Sequence, residues 1–371
     1  MTFRTLIAVF LSLFLTGIPS LGQAKRASKK RATNHAISER NIRAELGFLA
    51  SDAMQGRGSG TTFERIAAEY IGSQFHQFGL EPAGDTDSTG RKGFVQHVSL
   101  SSARFTKAST LSVTVAFDVV ASMPPSSSVE FGGPTQNTAE SSTWNAVGVL
   151  RGSDPKAAKK VIMLSAHLDH LGLSENTPVG GDAIFNGADD DASGCVAVLE
   201  LARVLASGKR PKRTIYFICF GSEELGGYGA QYFVAHSPVP LSDIVADVTF
   251  EMLGRPDSKV PPNTLWLTGY ERSTLGPALA KHGALLVADP HPEQQFFQRS
   301  DNYTLALRGV VAHTVSSFGL HADYHRPSDE ISKIDFPFIT LSINSLLKPI
   351  RWLANSPFKP AWLPGQAPTR G

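Results

Sequence analysis

The sequence has very little cysteine: 2 of 371 residues, Cys195 and Cys219. Neither has a CxxC companion, which argues against a thiolate zinc site. Both lie in apolar runs read as packed core, one on a helix and one on a strand, so buried free thiols are expected rather than a disulfide. An excess of charge is missing as well. Lys and Arg number 35 against 33 Asp and Glu, a formal net charge of +2, which gives no footing for nucleic-acid or membrane-surface binding. The basic cluster Lys25–Arg31 reads as a solvated tail. No apolar run reaches the roughly 20 residues needed to span a bilayer, and no internal repeat is visible.

What is present begins with an export signal. Arg4 precedes the apolar stretch Leu6–Leu15, and Pro19 and small residues lead to Ala24, where cleavage is expected. There is no cysteine at the cut to carry a lipid, so no stable membrane anchor is expected, and the product would be periplasmic or secreted. Residues 25–36 form a basic linker.

Helical spacing of apolar residues marks Ile37–Leu49 and Phe63–Phe78. After a polar loop, Phe94–Leu100 and Leu111–Val120 alternate like strands, and Pro124–Thr143 reads as an irregular connection. From Asn145 onward, strands and helices alternate. Strands are expected at 145–152, 159–166, Arg213–Phe220, Ile244–Met252, Asn263–Gly269 and Gly309–Ser317. Helices are expected at Gly194–Leu205, Gly229–Ala235, Ser273–His282 and Phe336–Asn355, followed by a mobile Pro-rich tail over 357–371. The pattern predicts a three-layer α/β/α fold with a mixed, mostly parallel central sheet. One domain over 37–356, with an irregular insert near 81–144, accommodates it.

Charge concentrates in Ser165–Gly194, which carries His167, Asp169, His170, Asp182, Asp189, Asp190 and Asp191. So many carboxylates beside an apolar strand are costly unless a cation offsets them. In a doubly wound sheet the other ligands should lie beyond the carboxyl ends of strands. Glu223 and Glu224 follow Arg213–Phe220, Glu251 ends another strand, and His325 follows the strand at Gly309–Ser317. A His/Asp/Glu set without cysteine suits zinc or another borderline divalent ion. His170, His291, His313 and His321 read as structural.

The segments AHLDHLG, GADDDASG, GSEELGG, FEMLGR and YHRPSDE together resemble the co-catalytic di-zinc aminopeptidase family. That family includes secreted bacterial leucyl aminopeptidases, vacuolar aminopeptidase Y and, more distantly, glutamate carboxypeptidase. The resemblance implies two zinc ions bridged by Asp190. His167 and Glu251 complete one, and Glu224 and His325 the other. It implies Glu223 as general base toward a metal-bridging hydroxide, Asp169 as the carboxylate that orients His167, and a cis peptide bond at Asp190–Asp191. Peptides with a free N-terminus are the implied substrates. Many relatives have Asp where Glu251 stands, and many insert a protease-associated domain for which the span from Leu80 to Asn145 is too short.

Met252, Phe296, Phe297, Phe318 and Tyr324 lie beside these positions and could line an apolar pocket. Ser300–Asp301 matches the family's Ser-Asp pair near the substrate. Three alternatives stay open: a carboxypeptidase using Arg255, Arg272, Arg299, Arg308 or Arg326; a single-zinc glutaminyl-cyclase-like acyltransferase; and a non-catalytic binding protein. No ligand is missing, which weighs against the last two.

Overall fold

The structure, a computed structural model, describes residues 36–101, 140–174 and 180–369. The export signal, the basic linker up to residue 35 and the strand expected at Leu111–Val120 lie outside them. Nine strands form the main sheet: β1 (Glu81–Pro82), β2 (Val95–Ser101), β3 (Glu140–Leu150), β4 (Val161–His167), β5 (Thr214–Phe220), β6 (Ile244–Glu251), β7 (Leu265–Leu267), β8 (Leu286–Ala288) and β9 (Ala312–Ser316). Their order is β1-β3-β5-β4-β6-β9-β7-β8, with β2 also beside β3. The centre β5-β4-β6-β9 is parallel, while β3 pairs antiparallel with β5 and β9 antiparallel with β7. The sheet is mixed and mostly parallel at its core, as the alternation predicts.

Helices α1 (Glu39–Leu49), α2 (Thr62–Gln77), α3 (Gly194–Ser207), α4 (Tyr228–Ala235), α5 (Leu275–Lys281), α6 (Asn302–Ala306) and α7 (Phe336–Asn355) cover both faces. Strand alternation decides which residue meets which layer. Ile162, Leu164 and Ala166 of β4 pack with Leu46, Leu199 and Ile343. Val161 and Met163, one residue out of step, pack with Phe233 of α4 and Leu305 of α6. A strand covered on both faces needs no polar side, which is why all seven residues of β5 are buried. The closing helix α7 starts where Asp335 accepts a hydrogen bond from the Phe338 amide at 3.0 Å, with Pro337 in its first turn.

Three readings need correction. β3 begins at Glu140, not Asn145, because the polar stretch before Asn145 pairs along β2. β8 and α6 are too short to show a period. The tail is docked as far as residue 363: the Leu363 amide donates to the Arg272 carbonyl at 2.8 Å, and the Trp362 ring lies 5.1 Å from that of His313.

Candidate metal centre

The parallel strands β4, β5, β6 and β9 end along one edge, and each contributes to one cluster. His167 is the last residue of β4 and Glu251 the last of β6. Glu223 and Glu224 follow β5, and His325 follows β9 in a loop. Asp190 belongs to the tight turn Ala188–Ser193 that opens α3, and the Asp190–Asp191 peptide is cis.

The turn at 222–224 is held by buried carboxylates. The Ser222 amide donates to Glu64 Oε1 at 2.9 Å, the Glu223 amide to Asp169 Oδ1 at 3.0 Å and the Glu224 amide to Asp169 Oδ2 at 3.3 Å. Asp169 also accepts a 2.5 Å bond from Ser59. Its carboxylate therefore grips the Glu223–Glu224 backbone. Toward His167 Nδ1 its backbone carbonyl is the nearer group, at 3.2 Å, with Oδ1 at 3.6 Å.

Beyond the cis bond that the resemblance implies at its backbone, Asp191 has a side chain that is a buried clamp. Oδ1 accepts from the amides of Gly194 and Met252, both at 3.0 Å, and Oδ2 from that of His167 at 3.2 Å. It ties α3 to the ends of β4 and β6. Asp189 and Asp182 serve structure: Asp189 accepts from the Gly254 amide at 2.6 Å and from His321 Nε2 at 3.0 Å, and Asp182 caps the Ile184 amide.

Two donor sets share Asp190. In the first, His167 Nε2 is 3.1 Å from Asp190 Oδ1 and 3.6 Å from Glu251 Oε1. In the second, His325 Nε2 is 3.2 Å from both Asp190 Oδ2 and Glu224 Oε2. Donors about 2.0–2.1 Å from a tetrahedral ion lie roughly 3.3 Å apart, close to these histidine–carboxylate distances; His170, Asp190 and Glu224 form a further group whose ligand atoms lie within 4.8 Å of one another. Asp190 Oδ2 and Glu251 Oε2 are buried with no properly directed hydrogen-bond donor, as befits oxygens meant for a cation. The sequence reading set aside His170, which the structure brings in: its Nδ1 is 2.8 Å from Glu224 Oε1. The signal was its place next to Asp169, but strand periodicity ends at His167 and could not aim a side chain three residues on.

Charge and burial oppose each other throughout. Burial disfavours a charged His325, but the carboxylates of Asp190 and Glu224 outweigh it and push its pKa up to about 10. Burial likewise raises Glu224, yet its histidine partners hold it at about 2. Such imidazolium–carboxylate pairs are the groups that exchange protons for a cation. Glu223 belongs to neither set. Burial raises its pKa well above the usual carboxylate range, with Glu251, Glu224 and Asp301 adding to the rise and His167 opposing it.

Beside Glu251 opens an apolar pocket walled by Met252, Trp266, Phe296, Phe318 and Tyr324, with Ser300 and Arg299 also lining it. Of the residues considered for a pocket, Met252, Phe296, Ser300, Phe318 and Tyr324 line this one. Phe297 does not: its ring packs away from the pocket against Tyr303, His313 and Trp362. Asp301 is buried at the start of α6, facing Gly227 rather than lining the pocket. Trp266, in the short β7, carries no sequence signal of a pocket, because residues 260–270 hold no charge. Of the five arginines considered for carboxylate binding, Arg299 alone lines this pocket; Arg255 is tied to Asp323 at 2.6 Å and Asp329 at 3.0 Å.

Comparison with known proteins gives a consistent answer. The model of peptidase family M28 matches residues 145–345. The chain is 28% identical over 176 residues to a probable leucine aminopeptidase 2 of Aspergillus oryzae, covering 45% of this chain and 32% of that protein. It is 36% identical over 113 residues to aminopeptidase YwaD of Bacillus subtilis, covering 30% and 22%. The matched stretches thus span about a third or less of these relatives. The zinc aminopeptidase BSAP of Bacillus subtilis superposes with a TM-score of 0.60 at 18% identity, over 87% of this chain and 97% of that one. At that identity the likeness shows the fold, a three-layer α/β/α sandwich.

Proposed function

From the premise that the chain belongs to peptidase family M28, we propose that it is an exported zinc aminopeptidase that removes N-terminal residues from peptides. The observation that carries this reading is the placing of His167 and Glu251 on one side of Asp190 and of Glu224 and His325 on the other, with Glu223 beside them and in neither set. His167, Asp190 and Glu251 would hold one ion, and Asp190, Glu224 and His325 a second. Bound zinc would supply Lewis acidity toward the peptide carbonyl and lower the pKa of a water molecule.

The chain's own groups do the rest. Glu223, fixed through its amide by Asp169, takes a proton from the attacking water and passes it to the leaving amine nitrogen. The raised affinity of Glu223 for a proton, caused first by burial, suits that transfer. The aromatic pocket next to Glu251 would take the side chain of the first residue. Export rests on Leu6–Leu15 and the small residues up to Ala24, and N-terminal sequencing of the exported chain that begins at Lys25 checks it. No helix among the described residues is long and apolar enough to cross a membrane.

The test is hydrolysis of aminoacyl and N-blocked peptide substrates, with chelation, zinc re-addition and a metal count. Turnover of free N-termini, lost on chelation and restored by zinc, with two ions per chain, is expected. Activity on N-blocked peptides alone would instead favour the carboxypeptidase reading, for which Arg299 in the pocket offers a carboxylate partner. One ion per chain would favour the cyclase-like alternative.

A further inference from the structure

We infer that His170 is a positioning residue of the second metal site, which fixes one oxygen of Glu224 by hydrogen bonding so that the other faces the ion. The inference rests on the assignment of Glu224 and His325 to a metal, and concerns what holds Glu224 in place.

Both histidines lie beside the same two carboxylates, but differently. His325 Nε2 is 3.2 Å from both Asp190 Oδ2 and Glu224 Oε2, equidistant, as a ligand among ligands is. His170 Nδ1 is 2.8 Å from Glu224 Oε1 and 3.8 Å from Asp190 Oδ2. The first distance is a hydrogen bond, and the second exceeds the roughly 3.3 Å edge of a tetrahedral zinc shell. Glu224 thus has an imidazole on each oxygen. An ionised carboxylate oxygen can only accept, so His170 Nδ1 carries the hydrogen of this bond. The one short and one long contact tie His170 to a single oxygen of Glu224, unlike the equidistant His325, so His170 acts through Glu224.

The ring is locked in that role. The His170 amide donates to the Arg57 carbonyl at 3.2 Å, and Arg57 is itself buried, donating to the carbonyls of Leu49, Leu168, Asn186 and Gly187. On the other side Gly187, at φ +56°, leaves room for the ring, where a Cβ would approach its Cγ and Cδ2 to 2.6 Å. His170 Nε2 is buried without a partner. Nδ1 therefore makes the ring's one hydrogen bond. Carboxylates that bind metals need such outer partners, and removing one costs about 10–100-fold in metal affinity.

Asn can present an N–H near the place of His Nδ1, while Ala cannot. Zinc affinity is measured for wild type, His170→Asn and His170→Ala by competition with a chromogenic chelator, alongside the visible spectrum of the cobalt-substituted proteins. His170→Ala should lose about 10–100-fold in affinity at one ion, with a cobalt spectrum altered as Glu224 gains freedom to bind through both oxygens. His170→Asn should keep wild-type affinity and spectrum. Unchanged binding in His170→Ala would overturn the inference, and so would an equal loss in His170→Asn, which would make His170 a ligand. If His170→Ala does not fold, the Asn variant decides: a wild-type spectrum and affinity support the inference and a changed one overturns it. The wild-type metal count tests the two-ion reading separately.

Discussion

Within the site, single atoms separate the roles of adjacent residues. Glu224 has both oxygens engaged by histidines, whereas Glu223, buried and close enough to feel the charges of His167, Glu251 and Glu224, belongs to neither donor set. Glu223→Gln keeps size and shape but removes the ability to take a proton. The amide of residue 223 still reaches Asp169, and no donor of either metal set changes. The expected outcome is retention of both ions, measured by elemental analysis, with turnover lower by about 10²–10⁴-fold. Loss of metal along with activity would mean that the roles of Glu223 and Glu224 are exchanged. The candidate ligands are legible in the sequence because each brings charge directly against an apolar run that has to bury it. Residues whose direction is set by loops are not. His170 lies beyond the end of β4, and Phe296 and Phe297 lie in a single tight turn where no periodicity says which ring faces the pocket.

At the scale of elements, the central strands were legible as continuous apolar runs, and the pieces missed were those whose structure depends on a distant partner. β3 gains its first residues from pairing with β2, and the tail gains its order from Thr274 and Arg272. One polar residue inside a central strand has a measurable consequence. Asp247 in β6 is fully buried, accepting from Ser165 and Thr249 at 2.9 Å each. Burial, against those two hydrogen bonds, raises its pKa to about 7. Between the unfolded value of about 3.9 and this folded value the native state holds a proton that the unfolded chain has released. This group therefore makes stability fall as pH rises through that window, by up to about 1.4 kcal/mol per pH unit, and adds nothing further above it. Asp247→Asn removes the titration. Denaturant unfolding of both proteins at pH 5 and pH 8 should show the variant gaining on wild type toward pH 8. A difference that does not change with pH would contradict the assignment. His313 has the opposite sign. Burial lowers its pKa to about 4, so its contribution is present above about 6.5 and is lost as pH falls toward 4.

For the molecule as a whole, the proposed metal centre would also be a fastening. Its candidate ligands come from the ends of β4 and β6, the turns after β5 and before α3, and the loop after β9, segments far apart in sequence. That convergence follows from strand order, which arises from pairings across the sheet that local pattern does not encode. Arg255 reinforces it, donating to Asp323 at 2.6 Å and to Asp329 at 3.0 Å, while Asp329 accepts from the amides of Asp189 and Asp190. The loop that carries His325 and the turn that carries Asp190 are thereby joined through the Asp329 carboxylate, which that guanidinium holds. Bound ions that favour only the folded state stabilise it by mass action, about 4 kcal/mol for an ion at a thousandfold its dissociation constant. Their removal also leaves the carboxylates of Asp190, Glu224 and Glu251 close together with protons as the remaining counter-charge. A chelator should therefore lower the melting temperature by several degrees, and zinc should restore it where magnesium does not, given the imidazole ligands. Because the histidines must give up protons to bind metal, the gap between the zinc-loaded and stripped proteins should narrow as pH falls from 8 to 6. A melting temperature indifferent to chelator at pH 8 would mean that the cluster holds no ion that matters to the fold.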